Sequence, residues 1–223
     1  MLGFDTIIID EGQDFRDSWL NALRLTLKEP ETGNFYVFYD DNQRLFSTEK
    51  GFIDALPPSS IALTRNLRNT RRIHAIMAKW YEGRKSTPAG PEGVPVGNLV
   101  CRNMDTALIR VGERIAQLLD TGQVLPGQIA VLLGTGSASM ALPDKLGGKP
   151  TCRSDEIRRD HIVVDTVRRF KGLSRPCVFL IGIEGLTDPD LIYVATSRAN
   201  IMLELVGTAE DINRLRQEVV SNG

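Results

Sequence analysis

Short apolar runs alternate along the chain with segments whose apolar residues recur every three or four positions. The runs are FDTIII (4–9), NFYVFY (34–39), NLVCR (98–102), PGQIAVLLG (126–134), HIVVDTV (161–167), PCVFLIGI (176–183) and NIMLELVG (200–207). They are mostly continuous rather than alternating apolar and polar, so they predict strands buried on both faces. Helical spacing is found in 17–27, with Leu20, Leu23 and Leu27, and in 70–81. It recurs in 105–119, where Asp105 can cap and Leu108, Val111, Ile115 and Leu119 share a face. Segment 189–199 opens on Pro-Asp, as helices do, and Thr208 can cap a last helix over 208–220 with Asp211 three residues on. ALPPSS (55–60) is a break and a candidate linker, and the Gly-, Pro- and charge-rich stretch 82–97 is a loop. This order predicts an α/β fold with a mostly parallel sheet flanked by helices. In such sheets ligands bind beyond the carboxyl ends of the strands, which gives weight to the residues that follow each run.

Composition narrows the classes. The 223 residues are 42% hydrophobic and 25% charged, with net charge −1, so any nucleic-acid contact has to use a local basic patch. The three cysteines, Cys101, Cys152 and Cys177, are widely spaced and read as free thiols of a reducing, cytoplasmic compartment. No apolar run is long enough to span a bilayer, and no membrane is expected as a partner.

Two apolar runs end in acids. The first leads into Asp10, Glu11, Gln13 and Asp14, the second into Asp40, Asp41 and Gln43. A carboxylate fixed at a strand tip can hold Mg²⁺, and its neighbour can orient an attacking water. A glutamine amide both donates and accepts, as a sensor of a terminal phosphate must. Taken alone, each acidic stretch reads as a solvated turn before it reads as a site. Arg65, Arg68, Arg71 and Arg72 crowd one strand-to-helix junction, and Arg168, Arg169, Lys171 and Arg175 surround Gly172. A guanidinium can neutralise charge on a phosphate, and a basic loop with a glycine can approach a phosphate chain closely.

The order of these stretches resembles the UvrD/Rep-like helicases of superfamily one. IIIDEGQDF resembles motif II, VFYDDNQRLF motif III, LTRNLRNTRRI motif IV, DTVRRFKGLSRPCVFL motif V and LIYVATSRA motif VI. The resemblance implies a RecA-like second lobe, complete over 61–223, and a remnant of the first lobe over 1–60. It implies ATP with Mg²⁺ held by Asp10, and Glu11 as general base for the attacking water. Gln13 would link the nucleotide to the rest of the site, Gln43 would sense the γ-phosphate, and Arg68 and Arg198 would contact that phosphate as arginine fingers. Thr166, Arg168, Lys171 and Gly172 would serve single-stranded nucleic acid, expected to be DNA. Phe46 would stack on a base of that strand, with core packing as its alternative.

The departures carry expectations of their own. Leu67 replaces the motif IV aromatic that stacks on adenine, Tyr39 replaces a glycine, Ser174 follows KGL in place of glutamate, and Ser197 stands where the family has threonine. No GxxxxGK[ST] occurs, so the phosphate cradle and its lysine are missing. The expectation is the C-terminal part of a longer ATP-dependent helicase, cut or truncated. Its missing partner would be the N-terminal part of the first lobe, and the chain alone would be inactive. The alternative is a stand-alone, non-hydrolysing module that binds nucleic acid or protein.

Overall fold

The computed structural model describes residues 3–40, 61–81, 85–134 and 143–217. The chain divides into two compact units, Met1–Leu63 and Thr64–Gly223.

The first unit holds a two-stranded parallel sheet, β1 (Thr6–Ile9) beside β2 (Asn34–Val37), joined through α1 (Asp17–Arg24). Ile9 and Leu20 are buried, but Ile8 is 66% exposed and Tyr36, its register partner, is exposed with Phe38. The prediction of a strand buried on both faces therefore fails for β1. Ile7 and Ile9 gain cover while alternate positions face outward, because successive side chains point to opposite faces.

The second unit is built on a seven-stranded sheet in the order β5-β11-β10-β6-β9-β8-β7. These strands are β5 (Gly97–Val100), β6 (Ile129–Leu133), β7 (Lys145–Leu146), β8 (Lys149–Cys152), β9 (Ile162–Thr166), β10 (Arg175–Ile181) and β11 (Ala199–Gly207). Every neighbouring pair is parallel except β7 and β8. A separate parallel pair joins β3 (Arg65–Asn66) to β4 (Thr87–Pro88) inside the stretch read as loop.

Both faces of the central strands are covered. Val131, Leu133, Ile162, Val164, Cys177, Phe179 and Ile181 pack against Ala107, Val111, Ile115 and Leu118 of α3 (Met104–Asp120). Alternate residues Ala130, Leu132, Val178 and Leu180 point the other way and are also buried. The buried face of α3 is thus rotated from the predicted one, with Leu108 and Leu119 at its flanks. Its cap is Asn103, whose side chain accepts the Thr106 N–H at 2.9 Å, not Asp105. Thr208 does cap α5 (Ala209–Arg216), accepting from Asp211 N at 3.1 Å. Helices α2 (Arg71–Met77) and α4 (Pro189–Ser197) pack on each other and on β11.

The β7–β8 hairpin has no counterpart among the predicted strands. Its turn is Gly147–Gly148, with φ of 54° and 77°, which suits a two-residue turn with two left-handed residues. All three cysteines are free and buried. Among the described residues no helix is long and apolar enough to cross a membrane.

Candidate functional site

In the first unit, the acids after β1 are organised by Gln13. Its side chain is 2% exposed and lies between two strand ends. Nε2 donates to the Glu11 carboxylate at 2.6 Å, and Oε1 accepts the N–H of Asp40 at 3.0 Å. Gly12 N–H donates to Phe38 O at 2.8 Å, and a Cβ on Gly12 would fall 2.3 Å from Val37 Cγ1, so only glycine fits. Glu11 has φ 52° and ψ 42°, a left-handed conformation that costs a non-glycine residue energy and that its surroundings must hold. Asp10 is exposed, and its Oδ1 accepts the Glu11 N–H at 2.9 Å. The described residues contain no group of three or more His, Cys, Asp or Glu that could cage a metal. One exposed carboxylate nevertheless suits Mg²⁺ arriving with a nucleotide, since Mg²⁺ is usually held by one or two carboxylates, waters and substrate phosphates. Gln43 and Phe46 lie outside the described residues.

In the second unit, motifs IV and VI meet at the amino end of β11. Asn69 is buried, and its Nδ2 donates to Ser197 O at 3.0 Å and Ala199 O at 2.6 Å. Thr70 N–H donates to Asn200 O at 3.1 Å, and Asn200 Nδ2 to Arg68 O at 3.3 Å. Arg68 is exposed on a backbone tied by its own N–H to Asn66 Oδ1 at 3.1 Å. The other arginines of that junction divide: Arg65 is exposed, Arg71 Nε donates to Gly90 O, and Arg72 pairs with Glu92 at 2.7 Å.

Arg198 departs from the expected pose. It ends α4 and is 0% exposed. Nε donates to Val194 O at 2.9 Å, one terminal nitrogen to Leu173 O at 3.1 Å and the other to Ser197 Oγ at 2.9 Å. A guanidinium removed from water must have its donors satisfied, and here backbone carbonyls and the Ser197 hydroxyl contribute to that. In this conformation Arg198 faces the protein, not an incoming phosphate.

The motif V loop leaves the carboxyl end of β9. Thr166 is buried and its hydroxyl accepts the Arg169 N–H at 3.3 Å, so it shapes the turn. Arg168 is exposed and Lys171 half-buried. Gly172 has φ 78°, and nothing lies within 4 Å of where a Cβ would be. Its glycine is required by the left-handed backbone, not by close approach.

Asp165 stands outside the residues that the sequence singles out. It is 0% exposed at the end of β9 and accepts from Ser154 N at 3.0 Å, Ser154 Oγ at 2.6 Å and Thr166 N at 2.8 Å. Arg169 pairs with it at 3.1 Å and with Asp155 at 2.8 Å. Burial pushes its carboxyl up, but the hydrogen bonds from Ser154 and Thr166 and the charge of Arg169 outweigh that and hold it below the usual carboxylate range. Its signal in the sequence is a carboxylate inside an apolar strand, followed by two arginines.

A cleft at the carboxyl ends of β5, β10 and β11, lined by Arg102, Asn103, Glu184, Thr208 and Asp211 among others, contains none of the predicted residues. It lies at the opposite end of β11 from Arg198. The arginines read as phosphate ligands, Arg68 and Arg198, thus gather at the amino end of a strand, contrary to the strand-end rule.

Residues 161–206 match the UvrD-like helicase C-terminal domain family, a span from β9 through the basic loop, β10 and α4 into β11. No curated protein matches the chain. Among solved structures, the C-terminal domain of a possible DNA helicase from Lactobacillus plantarum WCFS1 is similar, with 18% identity and a TM-score of 0.49. That likeness covers 64% of this chain and 87% of the other. The similarity to the UvrD-like helicase C-terminal domain family thus lies within the second unit, across its basic loop and its arginine-bearing helix end.

Proposed function

We propose that the chain is the C-terminal part of an ATP-dependent helicase that moves along single-stranded nucleic acid. The observation that carries this is the joining of Arg68 to the Arg198 segment: Asn69 and Asn200 tie the two stretches, distant in sequence, into one edge. ATP with Mg²⁺ would supply the bond whose hydrolysis drives movement. Asp10 would hold the metal, and Glu11, kept in place by Gln13, would orient and deprotonate the attacking water. Arg68, exposed on a fixed backbone, would meet the charge growing on the transferring phosphoryl group. Arg198 would join it on leaving its inward pose, and Gln43 would sense the γ-phosphate. Arg168 and Lys171 would bind the phosphates of the strand, with Thr166 and Gly172 setting the loop, and Phe46 would stack on a base.

The test uses a helicase that carries this chain together with a GxxxxGK[ST] segment. Arg68→Ala should lower turnover by roughly 10³-fold or more with nucleotide binding and melting temperature nearly unchanged. Unchanged turnover would remove Arg68 from the reaction.

A second reading, a non-hydrolysing binding module, is favoured by the inward Arg198. It predicts that no partner segment restores turnover.

A further inference from the structure

We infer that Arg198 is a positioning residue for the basic loop between β9 and β10, which it holds against the end of α4 through the Leu173 carbonyl. Local packing fixes the middle of this loop better than its end. Phe170 is buried, with its N–H on Thr166 O at 3.1 Å and the Leu173 N–H on Phe170 O at 3.2 Å. Gly172, by contrast, has a left-handed backbone and nothing within 4 Å of where a Cβ would be. Beyond Phe170, Arg198 fastens the chain twice. Its guanidinium donates to Leu173 O at 3.1 Å, and its own carbonyl accepts the Arg175 N–H at 3.0 Å.

Arg198 is fixed in turn from its own element. Val194 O and the Ser197 hydroxyl receive its guanidinium, Ser197 Oγ itself donates to Val194 O at 2.9 Å, and Asn69 grips the carbonyls on either side. Arg198 thus joins the loop to the helix end, while Asn69 holds the two carbonyls that flank it. The consequence is a coupling. A group that draws the guanidinium outward removes the donor from Leu173 O and loosens the segment bearing Lys171 and Gly172. Part of the inference rests on the proposed function: the loop matters to nucleic acid only if that reading holds. The fastening itself does not depend on it.

The experiment is native-state hydrogen–deuterium exchange on the whole chain, without nucleotide, for the wild type, Arg198→Ala, Arg198→Lys and Arg68→Ala. Arg198→Ala should speed exchange in 171–175 by about tenfold while the amides of Ile129–Leu133 in β6 keep their order of protection. Arg198→Lys, which keeps the charge but has no planar fork, should fall between it and the wild type. Arg68→Ala should leave the loop unchanged. Wild-type protection of the loop in both Arg198 variants would overturn the inference, as would uniform acceleration of every amide. If Arg198→Ala does not fold, Arg198→Lys decides by the same criteria. Anisotropy of a labelled oligothymidylate, measured on the same proteins, separates the two claims. Absence of binding in the wild type counts against the nucleic-acid reading and leaves the exchange result standing.

Discussion

Asn69 and Ala199 are joined by a 2.6 Å hydrogen bond from the Asn69 amide to the Ala199 carbonyl, and the same amide nitrogen reaches Ser197 O at 3.0 Å. One buried side chain thereby brackets Arg198 from both sides. Asn69→Ala would orphan two carbonyls in a dry place. We expect a loss of about 1–3 kcal/mol in stability, read from denaturant unfolding with an unchanged slope. Asn69→Asp should do at least as much harm, because a carboxylate offers acceptors where donors are needed. A change within experimental error would mean that the bracket is dispensable.

Asp165 predicts a pH dependence. Its folded pKa is depressed, so its contribution is present above the unfolded pKa and lost as pH falls through the folded one. Asp165→Asn removes the charge paired with Arg169 and gives Ser154 a worse acceptor. The variant should be about 1–3 kcal/mol less stable at neutral pH, and the gap should close as the pH is lowered below the carboxylate range. Thermal melts of both proteins across acid pH check this. A gap that stays constant would show that charge is not what Asp165 provides.

Glu204 predicts the opposite slope. It is buried on β11, and its carboxylate occupies the space a Cβ on Gly97 would need, 1.8 Å from Oε2. Burial raises its pKa, against the lowering effect of Arg114 at 3.4 Å. A raised acid pKa means that ionisation costs the folded state: the cost is absent below the unfolded pKa and complete above the folded one. Glu204→Gln should therefore melt higher than the wild type at neutral pH, with the advantage vanishing in acid. A variant less stable at neutral pH would show that the Arg114 pair outweighs desolvation.

The central strands are legible because β6, β9 and β10 are covered on both faces, and continuous apolar residues suit such positions. β1 has the same kind of sequence but shows Ile8 to solvent, since a run of isoleucines does not say which neighbours it has. The β7–β8 hairpin escapes the pattern because its strands are short and carry Lys145 and Lys149, leaving only Gly147–Gly148 as a signal. At the candidate site, the motif residues are legible by type and order. Their burial is not: charge predicts exposure, and Arg198 and Asp165 are inside because backbone carbonyls and hydroxyls wait for them there.

A nucleic-acid role for the loop after β9 stands or falls on how the whole chain binds a labelled oligothymidylate, followed by anisotropy across salt concentrations. The wild type should bind at low salt and weaken linearly in log salt. In the double variant Arg168→Ala, Lys171→Ala the slope should become shallower by about 0.7 for each phosphate that the loop no longer neutralises, with the melting temperature unchanged. No binding by the wild type at low salt, or an unchanged slope in the double variant, would contradict that role.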